Sequence, residues 1–364
     1  MHFGVFPGFL SFEKISFVVK GVNVSCFCGS TVEEFRHYVN EASRPSVLRF
    51  FCTPGQWSRD LSYMLTGRHI PVILVYIKHA DEGMVDRNRN KNRRKYQKKQ
   101  EIPWEESLTK CFTEIECDCV VVNGTNVVGC ENLNSLGMAD VVLSVGYNIT
   151  EGDSALGNHM SRLYDKLIPP KDSVGVDKRG DHVMKRFGYR ACANVTSSGQ
   201  VGKYASILSS EDRQEVDSLG KDVANCIWDH ARTMFGNRLP FGLYPGGDVP
   251  MIAIGNTPFS ALFITCNAEV PSHLDTNDEH GSVIAWCNKG DVQGGGFYLT
   301  EYFLRLRLHH DTVVFCKSCT HAHGSLAPSR GNGARYGVAL VNKKATSTRA
   351  RKQVAVVGLP LPKV

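Results

Sequence analysis

Between residues 261 and 341 the chain is a succession of short apolar runs cut by Gly, Asn and Asp turns, and this pattern constrains the fold more than any other feature. Ala261-Leu262-Phe263-Ile264-Thr265-Cys266-Asn267 comes first, followed by Gly281-Ser282-Val283-Ile284-Ala285-Trp286-Cys287 and Gly296-Phe297-Tyr298-Leu299. Leu304-Arg305-Leu306-Arg307-Leu308 then alternates strictly, and Thr312-Val313-Val314-Phe315 is rich in β-branched residues. Runs this short, with period two and turn residues between them, read as strands rather than helices. Several in series imply an antiparallel structure that is closed or built of two packed sheets.

The tripeptide His273-Leu274-Asp275 lies between the first two runs. In a strand, residues two apart face the same side, so a His-x-Asp pair delivers one imidazole and one carboxylate together. A histidine from a neighbouring strand completes a facial triad, which binds Fe(II) on one side and leaves positions open for a co-substrate and O2. The tripeptide alone is common, and the order of strands around it is what gives it weight.

Two histidines follow the run that ends at Phe315, in Cys319-Thr320-His321-Ala322-His323-Gly324. They are two apart, so spacing leaves both His321 and His323 open as the third ligand. Arg335 opens a further strand over residues 336–341, and its planar guanidinium suits a carboxylate, with Arg330 in a Gly/Pro/Ser loop as the alternative. Asp278 sits in a Thr-Asn-Asp-Glu turn, where it is either a turn former or an acceptor for the amino group of a cytosine. The segment from Cys316 to His323 also admits a Cys/His zinc knuckle. Two Cys and two His within so short a strand end leave alternate side chains on opposite faces, which argues against a tetrahedral site.

These residues resemble the Fe(II)/2-oxoglutarate dioxygenases, and His273-Leu274-Asp275-Thr276-Asn277-Asp278 is most similar to their TET/JBP branch, which oxidises the methyl group of 5-methylpyrimidines in nucleic acid. The resemblance is close over roughly 261–341 and implies a double-stranded β-helix (jelly-roll, cupin-like) catalytic core. It selects His323, followed by Gly324, as the distal ligand beside His273 and Asp275. It further implies that Arg335 meets the distal carboxylate of 2-oxoglutarate and that Asp278 touches a flipped base of methylated DNA. Relatives of this branch in green algae use ascorbate, so the co-substrate is 2-oxoglutarate or ascorbate. The chain departs from the branch where a further base-contacting His is often found, since its last strand continues as Val341-Asn342-Lys343-Lys344. A hydroxylase of protein side chains or small molecules would need the same triad and is the alternative activity.

The rest of the chain sets the frame. Its 364 residues, 42% hydrophobic and 21% charged, suffice for one large or two modest domains. The expected class is α+β: a smaller α/β N-terminal region over 1–150, then a catalytic domain over 151–364 with its core at about 181–345. The break falls between residues 150 and 180, where Glu151-Gly152-Asp153 and Ile168-Pro169-Pro170 interrupt regular structure. Over 209–235, Val216, Leu219, Val223, Ile227, Ala231 and Met234 recur at helical spacing, as in a helix packed outside a sheet.

Residues 87–99 carry eight basic side chains and no acid within a formal net charge of +6. Such a run is exposed, and it reads as a solvated linker, a phosphate-binding arm or a nuclear localisation signal. Thirteen scattered Cys do not form a secreted disulfide framework, and no apolar run is long enough for a membrane span. A nuclear or cytoplasmic location is therefore expected, although sequons at Asn23, Asn123, Asn148 and Asn194 would suit a secreted chain.

Overall fold

The structure is a computed structural model that describes residues 14–19, 22–44, 46–53, 55–78, 113–129, 136, 140–147, 155–168, 184–191, 201–203, 210–235, 252–329 and 331–357. The basic run at 87–99, Arg330, Asn148 and Asn194 lie outside the described residues.

Up to residue 150 the chain forms β1 (Lys14–Val19), β2 (Val22–Gly29), α1 (Val32–Glu41), β3 (Ser46–Cys52), α2 (Gln56–Thr66), β4 (Val72–Lys78), β5 (Thr113–Ile115), β6 (Cys119–Asn123), α3 (Gly124–Gly129) and β7 (Val141–Gly146). Helix α1 starts at a capping box in which the Thr31 hydroxyl accepts from the Glu34 amide while the Glu34 carboxylate accepts from the Thr31 amide. Every residue of β3 and of β7 is buried. Near-continuous apolar strands are what a sheet covered on both faces requires.

Then come α4 (Ala155–Lys166), β8 (Lys185–Ala191), β9 (Val201–Lys203) and α5 (Ser210–Phe235). The eight strands that follow are β10 (Ala261–Cys266), β11 (Val270–His273), β12 (Asp278–Lys289), β13 (Gly296–Leu299), β14 (Leu304–Leu306), β15 (Thr312–Cys316), β16 (His323–Leu326) and β17 (Ala334–Lys343). Helix α6 (Lys344–Val357) comes last among the described elements.

Strands β15-β12-β17-β10 are neighbours in one sheet and β11-β16-β13-β14 in the other, and the chain crosses between sheets at most steps. This is the double-stranded β-helix that the sequence led us to expect. Alternation sorts the side chains of the larger sheet. Tyr336, Val338 and Leu340 of β17, with Val283, Ala285 and Cys287 of β12, share a core with α4 and α5. Val216, Leu219, Val223, Ile227, Ala231 and Met234 form the buried stripe of α5, as their helical spacing indicated. Ile284 and Trp286 of β12 point the other way and pack with Phe297, Leu299, Leu304 and Leu306 of the smaller sheet.

The strands before residue 150 continue both barrel sheets. Strand β7 pairs antiparallel with β15, placing Val145 opposite Val314, and the run β1-β2-β3-β4-β6-β7 on one side with β8 and β9 beyond β10 on the other brings the larger sheet to 12 strands. Strand β5 adds a parallel edge to β14 in the smaller sheet. Arg49 of β3, fully buried, donates to the Phe303 carbonyl at 2.7 Å and so ties this extension to the turn before β14.

Candidate iron centre

Three elements converge on the site. His273 is the last residue of β11, Asp275 follows in the turn that leads to β12, and His323 is the first residue of β16. Strands β11 and β16 are paired so that His273 stands directly opposite His323. The turn is fixed by Asp275, whose amide donates to the Ser318 carbonyl at 3.0 Å and whose own carbonyl accepts from the Asp278 amide at 2.9 Å.

The ligand atoms of His273, Asp275 and His323 lie within 4.8 Å of one another, the one such group among the described residues. His273 Nε2 is 3.6 Å from Asp275 Oδ1, and His323 Nε2 is 3.4 Å from Asp275 Oδ2. Each ring is oriented by its other nitrogen: His273 Nδ1 is 2.8 Å from the Pro271 carbonyl and His323 Nδ1 is 3.1 Å from the His321 carbonyl. A carbonyl only accepts, so Nδ1 carries the proton in both rings and Nε2 is the nitrogen that faces the shared centre. Burial would raise the Asp275 carboxyl, but the hydrogen bond from His323 and the electrostatic influence of His323, His273 and Lys343 outweigh it and hold the group well below the ordinary carboxylate range. Two imidazole nitrogens aimed at one ionised carboxylate are a donor set that fits Fe(II).

A cavity of about 140 Å3 opens beside the triad, lined by apolar side chains that include Phe263, Ile284, Trp286, Phe297 and Val341. Two charged groups stand on its wall besides the triad. Asp278, 1% exposed, forms an ion pair with Lys343, and the Lys343 ammonium lies 4.8 Å from the centre of the Phe263 ring.

The structure thus brings His273, Asp275, His323 and Asp278 to one cavity and places the other candidates elsewhere. The His321 ring faces away from the cavity wall, with Nδ1 3.0 Å from the Tyr302 hydroxyl and 3.5 Å from the Glu301 carboxylate. Arg335 is not among the wall residues. Its guanidinium donates to Asn288 Oδ1 at 2.8 Å, to the Gly294 carbonyl at 2.7 Å and to the Leu308 carbonyl at 3.2 Å, and desolvation lowers it to about 10. Cys316 is fully buried in the core between the sheets, and no second metal-binding group joins Cys319 and His321 among the described residues. Lys343 escaped the sequence reading, although the period of β17 carries the signal: Gly337, Ala339, Val341 and Lys343 share the cavity face.

We expect His321→Ala to leave iron affinity within about threefold, well short of the roughly 10–100-fold that loss of an outer partner costs. The backbone carbonyl of residue 321 that orients His323 survives the substitution, and iron titration of the variant checks this. An effect as large as that of removing His323 would make His321 a ligand.

A double-stranded β-helix carrying a two-histidine, one-carboxylate triad at a cavity between its sheets defines an iron-dependent oxygenase. Residues 218–354 match the family model of the CMD1/TET dioxygenase C-terminal domain. No curated protein matches the sequence. Among solved structures, NgTET1 in complex with 5mC DNA is similar over 68% of this chain and 86% of its own, at 12% identity and a TM-score of 0.44. An oxidoreductase of the 2OG-Fe(II) oxygenase family from Burkholderia pseudomallei is similar over 56% of this chain and 87% of its own, at 14% identity and a TM-score of 0.35. OsALKBH1 is similar over 55% and 96% respectively, at 11% identity and a TM-score of 0.32. No helix among the described residues is long and apolar enough to cross a membrane.

Proposed function

We propose that the domain oxidises the methyl group of 5-methylcytosine in nucleic acid, methylated DNA in the first place. The observation that carries this reading is Asp278, a buried carboxylate on the cavity wall three residues beyond a metal ligand and paired with Lys343. A carboxylate there accepts from the exocyclic amino group of cytosine, and the adjacent ammonium is a donor for a ring acceptor of the same base. The match of residues 218–354 to a TET-type family agrees with such a substrate.

His273, Asp275 and His323 would hold Fe(II), which when bound supplies the O2 activation needed to attack an unactivated methyl C–H bond. The protein's own part is placement. The Pro271 and His321 carbonyls set the ring orientations of the two histidines, Ile284, Trp286 and Phe297 keep the reaction space apolar, and Asp278 fixes the base edge. A methylated base inside a duplex has to leave the stack to reach this cavity, at a cost of roughly a few kcal/mol.

For the co-substrate, 2-oxoglutarate and ascorbate are both compatible with the triad. The placement of Arg335 favours the second, because its guanidinium is committed to three neutral oxygens and does not stand on the cavity wall.

The deciding experiment is mass spectrometry of nucleosides from methylated DNA incubated with protein, Fe(II) and either co-substrate in turn. An oxidised or otherwise modified methylcytosine supports the reading, and the co-substrate that supports turnover is identified in the same measurement. If neither co-substrate gives a modified base while the protein consumes co-substrate with peptides or small molecules, the hydroxylase of other substrates takes its place. Asp278→Ala is expected to lower kcat/KM on 5-methylcytosine by about tenfold or more, the scale of a lost hydrogen bond to a charged group. It should also narrow the preference for 5-methylcytosine over thymine at unchanged iron content.

A further inference from the structure

Immediately outside the cavity wall stands a cation that the catalytic centre does not use. Phe263 of β10 lines the cavity, and its cross-strand partner on β8 is Arg186. Phe187, the next residue of β8, is packed in the core on the helix side, so period two puts Arg186 on the cavity side of the sheet. Its guanidinium carbon lies 6.0 Å from the Phe263 ring centre, the ring that also carries the Lys343 ammonium at 4.8 Å.

The two cations differ in how they are compensated. Lys343 is paired with Asp278. Arg186 is partly buried, and its Nε is buried without a hydrogen-bond partner. Among the described residues no carboxylate comes within 4.0 Å of its guanidinium. The acids nearest in sequence to the metal-binding turn are already engaged, Asp278 by Lys343 and Glu279 by Arg351 at 3.2 Å. Exposed Lys344, whose Nζ donates to the Thr276 carbonyl at 2.8 Å, adds further positive charge beside that turn. Taking a guanidinium partly out of water with only an aromatic face beside it is unfavourable, and an anion from outside would complete it.

We propose that Arg186 receives a backbone phosphate of the polynucleotide strand whose base enters the cavity, an inference that rests on the nucleic-acid reading above. A co-substrate that chelates the metal lies at the triad, whereas Arg186 stands beside Phe263 on the neighbouring strand and is not among the cavity's lining residues. A strand that delivers one base to the triad keeps its sugar-phosphate outside, where a planar fork of donors meets two phosphate oxygens. Arg186 then positions the strand without reading its sequence, leaving discrimination to Asp278 and Lys343.

The test uses the full chain loaded with Fe(II), as wild type, Arg186→Gln and Arg186→Lys. Binding of fluorescent methylated and unmethylated oligonucleotides is followed over a range of salt, together with iron content, melting temperature and KM for each co-substrate. We expect Arg186→Gln to weaken both oligonucleotides equally, by about tenfold, and to reduce the slope of log affinity against log salt by about 0.9, the value for one phosphate contact. Arg186→Lys should restore the slope, because it keeps the charge. An unchanged slope in Arg186→Gln, with wild type still modifying methylcytosine, overturns this inference alone. A raised KM for co-substrate at unchanged oligonucleotide affinity assigns the anion to the co-substrate and overturns it as well. A wild type that neither binds oligonucleotides nor modifies a base removes both this inference and the nucleic-acid reading.

Discussion

Asp275→Ala is expected to abolish iron binding and turnover together while the protein stays folded. Asp275 is the one anionic member of the triad, it bridges the two imidazoles at 3.4 and 3.6 Å, and its carboxyl is held ionised by their proximity. Without it two neutral nitrogens remain, and iron affinity should fall beyond the roughly 100-fold that marks loss of an outer partner. The fold should survive because the side chains of His273 and Asp275, each 18% exposed, line a cavity and are not packed in the core. His273→Ala and His323→Ala should match it. Iron titration followed by nucleoside mass spectrometry measures both effects, and a variant that keeps iron and activity would mean that the centre lies elsewhere.

A second large effect is expected from Gly324→Ala, a change of one methyl group beside a ligand and not of the ligand itself. A Cβ at position 324 would lie 2.3 Å from the Tyr298 hydroxyl oxygen and 2.5 Å from the Val270 backbone carbonyl, where no real Cβ fits. The Tyr298 ring carbon Cζ is as close as its hydroxyl and the ring is buried, so the ring itself has to shift, and the carbonyl belongs to β11, three residues before His273. Strands β16 and β11 must therefore separate, and His273 and His323 stand directly across that ladder. A displacement of this kind loosens the triad, and we expect iron affinity to drop by at least the roughly 10–100-fold of an outer-partner loss, with a lower melting temperature. Affinity and stability equal to wild type would show that β16 has slack at this point.

Much of the barrel was legible because its signals are local. Strict alternation in residues 304–308, the apolar run at 261–266 and the helical stripe of 209–235 each declare themselves within a single element, whereas the strand period expected to place His273 and Asp275 together is replaced by a turn, since β11 ends at His273 and Asp275 lies beyond it. The choice between His321 and His323 was not local, since both follow the same strand, and it is decided by which ring the pairing of β16 with β11 turns inward. Arg335 shows a different limit. The sequence put it at the opening of a strand, but its depth along the barrel depends on the loops that supply the Gly294 and Leu308 carbonyls. Arg186 was invisible for a third reason: Lys185-Arg186-Phe187-Gly188-Tyr189-Arg190 lacks the apolar content of an obvious strand, and it matters only through its pairing with β10.

The pairing of β7 with β15 and of β5 with β14 bears on what the catalytic part of this chain is able to do by itself. A fragment that began at residue 151 would present the backbone of Thr312–Cys316 and of Leu304–Leu306 as two raw edges, with amides and carbonyls that now find partners left to seek them in other molecules. Natural sheets guard such edges with charge or proline, and Thr312-Val313-Val314-Phe315-Cys316 has neither. Strands β7 and β5 thus occupy the two places where a stray strand would otherwise attach.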